Sequence, residues 1–195
     1  MTAYVALLRG VNVGGARGLP MIALRALFES ADARGVETLI QSGNVIFESD
    51  GNSGADVVAE VRAAISREFG FDAPIVLRSA GQWRTLIDGN PYLQRGVDPK
   101  TLHAACLSAL PDPTRAARLD PHRSAPDEFQ LRGDAIYLNL PNGVARSKLT
   151  NAWFDSTLGV VCTMRNWATI ARLGRLLEKR ATRKPPLQPR ARPIR

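Results

Sequence analysis

Ala3-Tyr4-Val5-Ala6-Leu7-Leu8, followed by Arg9-Gly10-Val11-Asn12-Val13-Gly14-Gly15, decides how the chain is read. The first six residues form a short apolar run, the mark of a buried strand. Alternation puts Ala3, Val5 and Leu7 on one face and Tyr4, Ala6 and Leu8 on the other. Both faces are apolar, so the sheet that contains this strand is expected to be covered on both sides. A covered sheet is not an open platform for stacking bases, and Phe47, on a neighbouring strand, reads as core. The seven residues that follow are a glycine-rich loop. Beyond it, Pro20 suits the first turn of a helix whose stripe is Ile22, Leu24, Leu27 and Phe28.

The same reading extends outward. Strands are expected over 36–40 and 45–47, parted by the turn residues Ser42-Gly43-Asn44. A helix with Val57, Val58, Val61 and Ile65 inward runs to Gly70, and a strand covers 75–77. A short helix at 83–87 and the break Asn90-Pro91 connect to a second series. That series reads as a strand over 102–110, a helical stretch over 111–119, and strands over 129–131 and 136–140 around Gly133-Asp134. A helix over 147–158, a strand over 160–164 and a last helix over 166–180 complete it. The order β-α-β-β-α-β occurs twice, which implies an α+β fold made of a tandem pair of ferredoxin-like plaits plus a C-terminal helix. The expected division is a first plait over 1–80, a connector over 81–100, a second plait over 101–165, a helix over 166–182 and a disordered tail over 183–195.

With 45% apolar and 23% charged residues in 195, the composition is that of a globular protein. No apolar run approaches the roughly 20 residues of a membrane-spanning helix. The N-terminal apolar stretch lacks the basic start of a signal peptide. Cys106 and Cys162 form no C-x-x-C pair. A cytoplasmic protein with no membrane partner is expected. The net charge of +8 is unevenly placed: 172–195 holds nine basic residues against Glu178, and 1–171 is neutral. The tail, rich in proline, can bind nucleic acid through phosphates or simply be a solvated extension.

Two polar clusters stand out in the first half: Arg9, Asn12, Gly14 and Gly15 after the first strand, and Gln41, Ser42 and Asn44 before the third. In a plait these strands are antiparallel neighbours, so both clusters come to one sheet edge. The glycines let backbone N–H groups approach a ligand, the loop leads into a helix N-terminus, and Arg9 can clamp a phosphate or carboxylate. A hairpin turn alone also accounts for the Gly43-Asn44 pair. The second half offers Ser147-Lys148 and Thr163-Met164-Arg165-Asn166. Ser147 reads as a helix N-cap, and Lys148, Arg165 and Asn166 as anion contacts. No P-loop, dinucleotide fingerprint or nucleophile elbow is present. His103 and His122 stand alone, so no metal is expected, and no cofactor is indicated. No catalytic residue can be assigned.

The segments Leu8 to Gly15, Ile40-Gln41-Ser42-Gly43-Asn44-Val45 and Thr163-Met164-Arg165-Asn166-Trp167 together resemble the family known as domain of unknown function 1697. Asn90-Pro91, Tyr137 and Ser147-Lys148 add to the resemblance. It implies small, soluble, mostly bacterial proteins with a tandem pair of ferredoxin-like domains, and it brings no activity, substrate or cofactor. Three functional expectations stand together. One is a binding protein or enzyme for a small anionic or phosphorylated molecule. A second is a nucleic-acid partner engaged through the tail. The third is that the polar clusters only shape turns.

Overall fold

The computed structural model describes residues 1–12, 18–39, 43–50 and 53–182. β1 (Thr2–Leu8) takes the central place that its two apolar faces require, between β3 (Asn44–Ser49) and β4 (Ile75–Ser79). Both pairings are antiparallel, with Leu7 opposite Asn44 and Leu8 opposite Ile75. β2 (Arg34–Leu39) completes a four-stranded sheet in the order β2-β3-β1-β4. α1 (Met21–Ser30) and α2 (Ser53–Phe69) cover one face of it. There Ala6, Leu8, Leu24, Phe28, Phe47 and Ile65 share one buried cluster, with the Phe47 ring 5.4 Å from Tyr4 and 5.1 Å from Phe28.

α3 (Ala80–Asp88) and α4 (Pro91–Gln94) follow. A Ser79–Gln82 capping box starts α3, and Asn90 caps α4 by accepting from the Tyr92 N–H at 2.9 Å. The second sheet is built from β5 (Leu102–Leu107), β6 (Glu128–Arg132), β7 (Ala135–Asn139) and β8 (Cys162–Asn166). Its order is β6-β7-β5-β8, again antiparallel throughout. α5 (Pro113–Ala116) and α6 (Asn151–Leu158) lie on its outer side, where Phe154 and Leu158 pack on Ala105, Leu107, Ile136 and Leu138.

The two sheets meet through the faces left over. Val5, Leu7, Ile46 and Val76 of the first share a buried cluster with Leu102, Ala104, Cys106 and Tyr137 of the second. α7 (Trp167–Thr182) enters the same layer through Trp167, Ile170, Leu173 and Leu177, beside α3. Trp83 of α3 is wholly buried, and its indole N–H donates to the Ile170 carbonyl at 3.2 Å. Each sheet is therefore covered on both sides, as the two apolar faces of β1 require.

Several elements differ from the sequence expectation, for local reasons. The helix expected from Ser147 begins at Asn151, because Thr150 is the residue whose hydroxyl accepts the Trp153 N–H, at 3.2 Å. Ser147 is not a helix cap; its hydroxyl accepts the Leu149 N–H at 3.1 Å in the preceding loop. The helical stretch expected over 111–119 shrinks to the single turn of α5, set by the carboxylate of Asp112 on the N–H groups of Thr114 and Arg115. The last strand lies two residues further on than expected and carries Arg165 and Asn166 within it.

Two expectations for the folded chain follow. Gly43 has φ +70, and a Cβ there would stand 2.6 Å from Val11 Cγ2 and 2.7 Å from Leu8 Cβ. Gly43→Ala should cost about 1–3 kcal/mol in urea unfolding. That loss should exceed that of Gly133→Ala, where φ is +59 but nothing lies within 4 Å. Burial pushes the Tyr92 and Tyr137 phenols up to about 12 from an ordinary value of 10.0. The neutral phenols favour the folded state fully below pH 10.0, and that contribution is lost as pH rises towards about 12. Alkaline denaturation followed by circular dichroism should therefore set in above pH 10, and Tyr92→Phe should shift it to higher pH.

Candidate functional site

Three of the polar residues singled out in the two halves, Arg9, Asn44 and Arg165, come together at the end of β1. Gly43 and Pro74 fix this strand end: the Leu8 N–H donates to the Gly43 carbonyl at 2.8 Å and the Arg9 N–H to the Pro74 carbonyl at 2.9 Å. From here the Arg9 guanidinium pairs with the Asp155 carboxylate of α6, Nη1 on Oδ2, with both side chains less than a third exposed. The other oxygen of Asp155 accepts the Cys162 N–H at 2.7 Å. One carboxylate thus ties the middle of α6 to the start of β8 and to the first half.

The reverse tie comes from β8. Arg165 projects from the second sheet into the first, donating from Nη2 to the Leu8 carbonyl at 2.7 Å and from Nε to Asn44 Oδ1 at 2.6 Å. Its Nη1 donates to the Thr163 hydroxyl and the Met164 carbonyl, each at 2.9 Å. Burial pulls the Arg165 pKa down to about 10, so the guanidinium still carries its charge at neutral pH. Asn44 is wholly buried and uses its amide N–H on the Leu39 carbonyl at 3.0 Å. The edge read from the topology in the first half is real at its described positions, and the second half reaches the same edge.

The remaining candidates are placed differently. Asn12, at φ +55, closes its loop by a two-point clamp: Nδ2 donates to the Leu19 carbonyl at 2.9 Å and Oδ1 accepts the Leu19 N–H at 2.8 Å. Asn166 caps α7 through the Thr169 N–H at 2.8 Å. Lys148 is exposed in the loop before α6, its N–H on the Ser124 hydroxyl at 3.0 Å and its carbonyl taking a bond from Arg123 at 3.2 Å. Gly14, Gly15, Gln41 and Ser42 lie outside the described residues, as does the 183–195 tail.

Sequence reasoning missed Asp155 and Arg78. Nothing local marks Asp155, whose partner is 146 positions away. Arg78 did leave a signal. It shares a strand face with the core residue Val76, so alternation turns it inward. It is 6% exposed and donates across the sheets to the Leu107 carbonyl at 2.7 Å, with Asp134 Oδ2 at 2.9 Å. Cys106 is pushed up to about 11 and Cys162 further, both by burial, which makes them poor nucleophiles. Among the described residues no group of three His, Cys, Asp or Glu side chains could hold a metal. A separate groove of about 350 Å³ runs between α3 and α7, lined by Trp83, Ile87, Asp88, Leu177 and Glu178.

The fold and the junction define an α/β protein of two four-stranded antiparallel sheets, stitched by arginines. Residues 1–137 match a family described as "Protein of unknown function (DUF1697)", and the chain belongs to that family. Among solved structures it is similar to one titled the structure of conserved bacterial protein SP0830 from Streptococcus pneumoniae. The TM-score is 0.71 at 20% identity, covering 90% of this chain and 98% of that one. That likeness is one of fold. No curated protein matches significantly. Among the described residues no helix is long and apolar enough to cross a membrane.

A double-mutant cycle on Arg9→Ala and Asp155→Ala should give a coupling of about 1–2 kcal/mol in urea unfolding, because the pair is close and sheltered. A coupling near zero would place the pair among exposed surface contacts that contribute little.

Proposed function

We propose that the chain is a duplicated protein of two ferredoxin-like plaits whose junction binds a small anionic ligand, such as a phosphorylated metabolite, at the strand ends of the first. The single observation that carries this reading is the arrival of two guanidiniums at one strand end. Arg9 leaves β1 there, and Arg165 comes from β8 onto the Leu8 carbonyl. The Arg9 fork suits phosphate and carboxylate geometry, and Arg165, whose nitrogens are engaged by protein groups, adds its positive charge. The shared element order and strand order of the halves support the duplication. On this reading Asp155 is an internal stand-in, a carboxylate that occupies the Arg9 fork until an anionic ligand displaces it.

Asp155→Asn separates the roles. The amide keeps an oxygen for the Cys162 N–H and removes the competing charge. Thermal shift against inorganic phosphate, adenosine monophosphate and phosphorylated sugars should show a larger rise in Tm for Asp155→Asn than for the wild type, and none for Arg9→Ala. An equal response in all three would sink the reading. A second reading is favoured by the Asn12–Leu19 and Asn44–Leu39 bonds: the polar clusters only hold turns and join the halves. There both substitutions lower Tm and no anion restores it.

A further inference from the structure

Clamping the two halves together has a consequence for the outer face of the second. Its segment carries several acids, and ion pairs neutralise three of them. Asp134 goes to Arg78 at 2.9 Å, Glu128 to Arg95 at 2.9 Å and Asp155 to Arg9. Asp127 is buried and accepts the Ser124 hydroxyl at 2.7 Å. The cations are left behind. Arg115, Arg118, Arg123, Arg146 and Lys148 are all exposed. Among the described residues none of them has a carboxylate within ion-pair distance. The exposed acids on this side are Asp112, which caps α5, and Asp120, which takes the His122 N–H at 2.9 Å.

Three of these cations, Arg115, Arg123 and Lys148, lie at the two ends of α6. Arg115 lies against Gly159 at its C-terminal end, with a guanidinium nitrogen 2.6 Å from where a Gly159 Cβ would stand. Arg123 lies at the other end, its guanidinium carbon 4.7 Å from the Trp153 ring centroid, and its Nε bonds the Lys148 carbonyl. Trp153 is braced from beneath by Phe129 and Phe154, at 5.8 and 4.8 Å. The helix between spans about 12 Å at about 1.5 Å per residue. Its own exposed residues, Ala152 and Ser156, are small and neutral.

We propose that this α5–α6 face docks single-stranded nucleic acid, independently of the anion site at the junction. Spaced cations follow a phosphate backbone. A guanidinium held over a braced indole makes a platform beside which an unpaired base can stack. The site uses a helix layer and so does not conflict with the coverage of both sheets. It also differs from binding through the 183–195 tail.

Fluorescence anisotropy of the full chain with a fluorescein-labelled oligothymidylate tests it. Wild type should bind with an affinity that falls steeply with salt. The double variant Arg123→Gln/Lys148→Gln should lose about tenfold and flatten the log–log salt slope by about 1.4. Its Tm should fall only slightly, because both side chains are exposed and Arg123 gives up one surface hydrogen bond and its contact with the Trp153 ring. The tail variant Arg190→Gln/Arg192→Gln should keep its dependence on Arg123 and Lys148. Three results would overturn the proposal: no binding by the wild type, wild-type affinity in the Arg123/Lys148 variant, or equal competition by phosphatidylserine vesicles, which would mark a membrane-directed surface instead.

Discussion

The Arg165 guanidinium is the constraint on which the structure turns. It leaves the edge strand of one sheet, enters the end of the other and satisfies the Leu8 carbonyl and the buried Asn44 amide. A charge in that position is tolerable only if its donors are used, because an unpaired buried polar group costs several times what a formed hydrogen bond contributes. The apolar layer between the sheets brings the halves together without specifying their register. The arginines supply the register. Arg165 and Arg78 each reach across to backbone carbonyls of the opposite half, and Arg9 reaches across to Asp155. Arg180 of α7 adds a contact with Glu37 of β2 at 3.3 Å.

This arrangement accounts for the neutral charge of 1–171 in a different way from a mixed surface. Several acids of the second half are spent on internal ties, and several arginines of the first half are spent likewise. The surface charge is therefore not the sequence average. The outer layer along α6 is more basic than its segment composition implies, while the end of β1 holds opposed charges close together.

Much of the architecture was legible because periodicity is local. The alternation in Ala3 to Leu8 carries both the burial of β1 and the coverage of its sheet. The edge on which Arg9 and Asn44 meet was legible too, since it follows from strand direction alone. What stayed hidden was set by partners distant in sequence or by competition among neighbours. Ser147 and Thr150 both carry a hydroxyl that can cap a helix, and Thr150 is the one whose oxygen meets the Trp153 N–H in the first turn of α6, where Trp153 packs on Phe129. Asp155 looks like any polar residue on a helix surface, and only the folded chain brings Arg9 to it.

If arginine ties make the two sheets one cooperative unit, that unit should open as one. The most direct measurement is native-state hydrogen exchange on β1 and β5, in the wild type and in Arg165→Met. The account predicts one shared opening free energy for the two strands, and a drop of similar size in both when Arg165 is lost. Separate opening energies in the wild type, or a loss confined to β5 in Arg165→Met, would contradict it.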